Sequence, residues 1–147
     1  MTKEKEDYLF NTFPNLFPDG READVKRSLM SFGFPGDGWY NIIKDLCEKI
    51  TATGVKVEVV QVKEKFGTLR YYIDFAEGTS QVDIRRVFDL IGAIEDLSET
   101  TCEHCGAPGT LKTDGWWRTL CDACEIAQKA ERNKREEEWS RIDIDPS

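Results

Sequence analysis

The sequence predicts an α+β protein in which a small antiparallel sheet is covered by helices and followed by a small unit built around four cysteines. Residues 55–75 alternate like a β-hairpin, helical apolar spacing flanks them on both sides, and two cysteine pairs lie near the C-terminus. A chain of 147 residues can form one core and one small appended unit. We therefore divide it into a body, residues 1–100, and a C-terminal unit, residues 101–147.

The composition of the chain limits the classes of partner that it can bind. The chain has a net charge of −8 and a pI near 4.8, and neither part forms a basic arm. This balance opposes general binding to nucleic acid or to an anionic membrane. No apolar run approaches the roughly 18 residues of a membrane span. The opening residues 1–7 are charged rather than apolar, so we expect a cytoplasmic protein whose thiols stay reduced.

The residues before the hairpin predict a packed terminal segment and a first helix. Residues 8–18 are rich in Phe and Pro, and we expect them to lie across the core. Asp19 and Glu22 resemble a capping box, which predicts a helix over about 20–32 that Gly33 and a following proline end. The apolar face of this helix is expected to carry Ala23, Val25, Leu29 and Phe32.

A second helix, over about 38–51, is predicted after Asp37-Gly38. Its apolar stripe consists of Trp39, Ile42, Ile43, Leu46 and Ile50. Cys47 lies beside this stripe, and we expect it to pack as a small buried apolar residue.

The hairpin over about 55–75 is predicted from alternation along two runs. The phase of the first run changes at Val59-Val60, which indicates a bulge. The core face of the second run is expected to carry Leu69, Tyr71, Ile73 and Phe75. The opposite face and the turn group cationic and aromatic residues, namely Lys63, Lys65, Phe66, Arg70 and Tyr72. Such a patch can bind a phosphate, a base or an acidic partner, but a solvated sheet face with ordinary cross-strand pairs is the favoured explanation.

A third helix, over about 81–98, is predicted from a wide apolar stripe and is expected to cover the hairpin. The stripe consists of Val82, Ile84, Val87, Phe88, Ile91, Ile94 and Leu97. The C-terminal unit follows with little linker, so we expect the two parts to pack together.

Two C-x-x-C pairs are the strongest motif in the chain. Cys102 and Cys105 form one pair, Cys121 and Cys124 form the other, and fifteen residues separate them. This spacing is typical of a four-thiolate zinc site, and four protein ligands leave no open position, so one structural Zn²⁺ per chain is expected. Two disulfides, four free thiols and a redox pair are the alternatives. His104 lies inside the first pair and is not expected to be a ligand.

The order of elements around these cysteines resembles a treble-clef zinc finger more than a zinc ribbon. A cysteine turn comes first, and a hairpin around Asp114-Gly115 follows it. A helix begins near the second pair and continues to about Trp139 as an exposed, charged helix. Alternation would place Trp116 and Trp117 on opposite faces, so that at most one is buried.

Two segments carry a resemblance to a known group of proteins. Residues 62–72, which include Lys-Phe-Gly-Thr-Leu-Arg, form the first segment. The second begins at Cys102-Glu-His-Cys-Gly and ends with Gly-Trp-Trp-Arg-Thr-Leu-Cys-Asp-Ala-Cys124. Together they resemble the two signatures of small, uncharacterised phage- and prophage-encoded proteins. The resemblance implies a cytoplasmic protein of phage origin in a bacterial host cell and implies no reaction.

Three classes of function remain to be weighed. We do not expect an enzyme, because one histidine cannot supply the base and the ligands of a metal-dependent nuclease, and no catalytic triad or phosphate-binding loop is present. A non-catalytic module that binds a host protein is expected, with Trp116, Trp117 and Arg118 as interface residues. The alternative is a binder of nucleic acid or of a nucleotide through residues 63–72, which the net charge opposes for long nucleic acid.

Overall fold

The computed structural model describes residues 1–143, and its architecture is α+β, as predicted. In this range the α-helices are α1 (Lys3–Thr12), α2 (Tyr40–Thr53), α3 (Gln81–Ser98) and α4 (Asp122–Asp143). The strands β1 (Val57–Lys65) and β2 (Thr68–Phe75) form one antiparallel sheet, and β3 (Thr110–Lys112) and β4 (Arg118–Leu120) form another. Within residues 1–143, the helices are all too short or too polar to cross a bilayer.

The N-terminal segment begins with a helix, α1, that the sequence analysis did not predict. The Thr2 hydroxyl accepts the Lys5 N–H at the start of this helix, and Glu4 and Glu6 lie in its first turn, where the helix dipole favours negative charge. The expected packing across the core is present, because the segment buries five large side chains. These are Leu9, Phe10, Phe13, Leu16 and Phe17.

The helix predicted over 20–32 is wrong, because only two 3₁₀ turns occupy this stretch, Gly20–Glu22 and Met30–Phe32. Asp19 makes no capping hydrogen bond. The Asp24 carboxylate instead accepts the Lys26 N–H at 2.9 Å, which favours a local turn over a helix.

The backbone of this stretch also forms a hydrogen bond with β1, since the Leu29 N–H donates to the Val60 carbonyl at 2.7 Å. Tertiary pairing with β1 has therefore replaced helical hydrogen bonds. Two of the residues expected on the apolar face, Val25 and Phe32, are consequently exposed.

The hairpin agrees with its prediction, including the bulge. The register of β1 on β2 shifts between Val59 and Gln61. Both outer edges of this two-stranded sheet are covered: the Leu16 carbonyl accepts the Val59 N–H beside β1, and the Glu95 carboxylate of α3 accepts the Tyr71 N–H of β2 at 3.0 Å. Such cover prevents further strand pairing and stabilises a sheet too small to be stable alone.

Helices α2 and α3 pack on each other, and α3 packs on β2. Cys47 of α2 is fully buried, as predicted, with its sulfur 3.2 Å from the Tyr71 hydroxyl. Burial raises the pKa of Cys47 to about 12, so this thiol stays neutral.

The apolar stripe predicted for α3 is narrower than expected. Val87, Ile91 and Ile94 are buried, whereas the expected core residues Val82, Phe88 and Leu97 are exposed. A two-stranded sheet and one neighbouring helix cover only one face of α3, so the margins of the stripe remain in solvent.

The turn between β1 and β2 consists of two residues, Phe66 and Gly67. Lys65 pairs with Thr68 across it, and φ is +53° at Phe66 and +82° at Gly67. Positive φ at both central residues is the requirement of a type I′ turn, which Asn-Gly satisfies best. A bulky residue in the left-handed region is strained by about 1–2 kcal/mol.

Phe66→Asn is expected to be more stable than Phe66→Ala by about 1 kcal/mol, because both substitutions remove the ring but only asparagine tolerates positive φ. The difference in the free energy of unfolding from urea titrations measures this. Equal stability of the two variants would show that the turn is not strained at this position.

Candidate metal centre

The four cysteine sulfurs converge on one point. The Sγ atoms of Cys102, Cys105, Cys121 and Cys124 all lie within 4.8 Å of one another, and those of Cys105 and Cys121 are 3.7 Å apart. A tetrahedral ion with metal–sulfur bonds of about 2.3 Å needs sulfurs about 3.8 Å apart. The cluster can therefore hold a metal ion with little rearrangement.

Local backbone geometry aims each pair of sulfurs. In the first pair, the Gly106 N–H donates to the Cys102 carbonyl at 2.9 Å, and Gly106 has the positive φ of +83° that this tight turn needs. In the second pair, Cys121 precedes α4 and Cys124 lies in its first turn, where the Cys124 N–H points at the Cys121 sulfur at 3.4 Å. An N–H group directed at sulfur stabilises a thiolate.

The thiols differ in how readily they ionise. Burial opposes charge on Cys102, but backbone N–H groups, those of Cys121 and Cys105 foremost, outweigh it and lower the pKa of Cys102 to about 7. Desolvation and then the neighbouring Cys121 sulfur raise the pKa of Cys124. At Cys105 the Ala107 N–H and the Cys124 sulfur lower the pKa, yet the Cys102 sulfur, desolvation and the Cys121 sulfur together raise it by more. Deprotonation is thus favoured at Cys102 and opposed at Cys105 and Cys124, and a bound cation would favour the thiolate form of all of them.

His104 is exposed, and it is not part of the cluster that the structure places within ligand distance in residues 1–143. Within the first cysteine pair, Cys102 is fully buried and Cys105 is exposed. The cluster thus lies at the boundary between protein and solvent.

Glu103 joins the cysteine turn to the body. Its N–H donates to the Thr119 carbonyl at 3.0 Å, its own carbonyl accepts the Gly38 N–H at 2.7 Å, and its Oε2 accepts the Gly36 N–H at 3.1 Å. Its Oε1 lies 3.5 Å from an Arg118 guanidinium nitrogen without hydrogen-bond geometry. The backbone and the carboxylate of Glu103 together fix the position of the cysteine turn on the body.

Two further contacts cross the same junction. The Trp39 indole N–H donates to the Thr101 carbonyl at 2.8 Å, and the Thr119 hydroxyl donates to the Gly67 carbonyl at 2.6 Å within the protein interior. Sequence analysis missed Glu103, Thr119 and this role of Trp39. The only available signal was the absence of a linker between the body and the first cysteine, which predicted packing but no residues.

The candidate binding residues of the hairpin lie together. The register pairs Lys63 with Arg70, which places both with Lys65 and Tyr72 on the outer face, and the Lys63 ammonium is 5.8 Å from the centre of the Tyr72 ring. At the tip, the Lys65 ammonium is 5.9 Å from the centre of the Phe66 ring.

The three candidate binding residues of the second hairpin do not lie together on one surface. Trp116 and Trp117 are 76% and 47% exposed, which confirms that at most one is buried. Their expected placement on opposite strand faces does not apply, because both lie in the loop before β4. Trp117 meets Phe66 edge to face, with ring centres 6.4 Å apart. Arg118 donates to Gln128 of α4 at 3.0 Å, and with Trp116 it lines a separate groove of about 390 Å³ beside α4.

No protein-family model, no curated protein and no solved structure matches this chain.

Cys105→Ser is expected to remove most of the bound metal, because the substitution deletes one ligand at an exposed position. Cys47→Ala is the matched control: it removes a buried thiol of the body and lowers stability, but the metal content stays at the wild-type level. Metal per chain is measured by elemental mass spectrometry on protein purified without chelator. Wild-type metal content in Cys105→Ser would show that the cluster is not the metal site.

Gly38→Ala is expected to destabilise the protein by about 2–3 kcal/mol, because its new methyl carbon would lie 2.6 Å from both the Glu103 carbonyl carbon and the Gly106 nitrogen. The control is Gly92→Ala in α3, which meets nothing within 4 Å and should gain about 1 kcal/mol from helix propensity. Chemical denaturation of both variants checks the contrast. Equal effects would mean that the close approach of the cysteine turn to the body does not contribute to stability.

Proposed function

We propose that the protein is a phage-encoded accessory protein that holds one structural zinc ion and acts as a non-catalytic binding module on a protein of the bacterial host, in the host cytoplasm. The cluster of four sulfurs within 4.8 Å is the observation that carries this proposal. The phage origin is supported by the resemblance of the hairpin and cysteine signatures described above.

Zinc is favoured by the chemistry of the donors. Four thiolates form a soft set that suits Zn²⁺, whereas hard cations such as Mg²⁺ or Ca²⁺ require oxygen ligands. Because all four positions of a tetrahedral ion are filled by protein, no position is left for a reacting water, and the ion is structural. The sequence of cysteine turn, β3–β4 hairpin and α4 supports a treble-clef arrangement.

Binding to a partner is supported by the exposed aromatic side chains next to this rigid unit. Trp116, Trp117 and Phe66 are all exposed, although aromatic rings of this size favour burial. Trp and Tyr dominate the energetic centres of protein interfaces. The bound metal holds β3 and β4 in place, so the ion serves to present Trp116 and Trp117.

A second candidate is the binding of nucleic acid or of a nucleotide through the outer face of the first hairpin. The placement of Lys63, Lys65, Arg70 and Tyr72 on one face favours it. Charge reversal by Lys65→Glu with Arg70→Glu would abolish such binding and leave the metal content unchanged, which a labelled oligonucleotide and elemental analysis together measure.

Native mass spectrometry is expected to show one zinc ion per chain. Affinity capture from host lysate is expected to recover a host protein in a stoichiometric amount. Trp116→Ala combined with Trp117→Ala should reduce recovery of this partner about ten-fold or more, since each Trp at an interface centre contributes about 2 kcal/mol. Trp139→Ala removes an equally exposed ring from α4 and is the matched control. Absence of any stoichiometric partner in the wild-type capture would contradict the binding function.

A further inference from the structure

Phe66 occupies a position where local structure disfavours it. The turn needs positive φ at its first central residue, for which asparagine or glycine is suited, and the Phe66 ring is 65% exposed instead of packed in the core. A residue that violates a local rule without a compensating gain in packing indicates a functional role for its side chain. The turn therefore presents Phe66 outward at a cost to its own conformation.

The exposed ring forms one surface with residues of the second hairpin. Trp117 contacts Phe66 edge to face, and the Leu111 side chain lies against Gly67, since a Cβ built on that glycine would be 2.6 Å from Leu111 Cδ1. We name Phe66, Leu111 and Trp117 the junction patch. All three are exposed large apolar residues, and the patch exists only where the body and the cysteine unit meet.

Basic side chains border the junction patch. In residues 1–143, Lys63, Lys65 and Arg70 make no ion pair within 4.0 Å, and the register of the hairpin places all three on one face. The nearest acidic residue in the chain, Glu64, is engaged, because its carboxylate accepts the Gly67 N–H at 2.8 Å. We name these three residues the basic strip. An unpaired basic strip on a protein of net charge −8 is complementary to an acidic ligand.

We propose that the junction patch and the basic strip together bind an acidic peptide segment of the partner, which carries an aliphatic or aromatic anchor residue beside its carboxylates. This proposal rests on the proposed binding function and adds the place and the chemistry. The anchor packs into the angle that the Phe66 and Trp117 rings form, and the carboxylates pair with the basic strip.

A peptide fits this surface better than a nucleic acid does. The Phe66 and Trp117 ring planes are inclined by 69°, so they form an angled apolar notch and not a flat platform on which a base stacks. Long nucleic acid is also repelled by the net charge of −8.

The formation of this surface should depend on the bound metal. Leu111 belongs to β3 and Trp117 directly precedes β4, and this hairpin connects the two cysteine pairs, whereas Phe66 belongs to the body. Without the ion, the second hairpin loses its fixed position beside the turn, and the notch is lost. Binding of the peptide is therefore expected to require the bound metal.

The test is selection of peptides from a displayed library of random 12-residue sequences on the full-length, metal-loaded protein, followed by fluorescence anisotropy with the selected peptides. The expected result is enrichment of Asp and Glu beside an apolar anchor. Phe66→Asn, Trp117→Ala and Lys65→Glu should each weaken the selected peptides about ten-fold or more, and added salt should weaken them further. Phe66→Asn keeps the turn intact, so its loss of affinity cannot be attributed to unfolding.

Trp139→Ala is the control, since this ring is exposed on α4 outside the junction patch, and the variant should not change the affinity. Selected peptides without acidic residues, or affinities unchanged by the patch variants, would overturn the proposal. Tight binding of a labelled 12-nucleotide oligo(dT) that the patch variants abolish would replace it with the nucleic-acid alternative. If the patch variants recover a host partner as efficiently as the wild-type protein does, this inference is refuted, while the proposed function is unaffected.

Discussion

The position of the four-cysteine cluster, the candidate metal centre, relative to the body depends on the contacts of Glu103. One residue inside the first cysteine pair uses its N–H, its carbonyl and its carboxylate to bind β4 and the Gly36–Gly38 backbone. Because Gly38 has no side chain, the cysteine turn approaches the body closely enough for these bonds to form. The candidate metal centre is thereby packed directly against the body and is not joined to it by a flexible linker.

The first hairpin connects the hydrophobic core to this centre. Strand β2 packs against α3, and the turn of the hairpin reaches β4, where the Thr119 hydroxyl donates to the Gly67 carbonyl. A two-stranded sheet is too small to be stable in isolation, so covered edges and a docked tip are necessary for it to persist. The same docking places an exposed Phe66 beside Trp117, and this adjacency gives the protein its most distinctive surface.

Two stretches violate local expectation for different reasons. The predicted helix over 20–32 fails because the Asp24 side chain and the Val60 carbonyl take hydrogen-bonding roles that a helix would have filled internally. In this stretch, tertiary contacts determine the backbone structure against the preference of the local sequence pattern. At Phe66 the backbone adopts the turn that the hairpin requires, and the side chain is the anomaly, which is why a functional role is inferred there and not in 20–32.

The sequence by itself determined the α+β class, the bulged hairpin, helices α2 and α3, the buried Cys47 and the grouping of four cysteines. Each depends on periodicity or spacing within a short window, and such patterns survive in any fold that buries the apolar face. Only the tertiary structure decided that Glu103 joins the two parts, that both loop tryptophans are exposed, and that Phe66 meets Trp117. These features depend on contacts between residues distant in the chain, which local patterns do not encode.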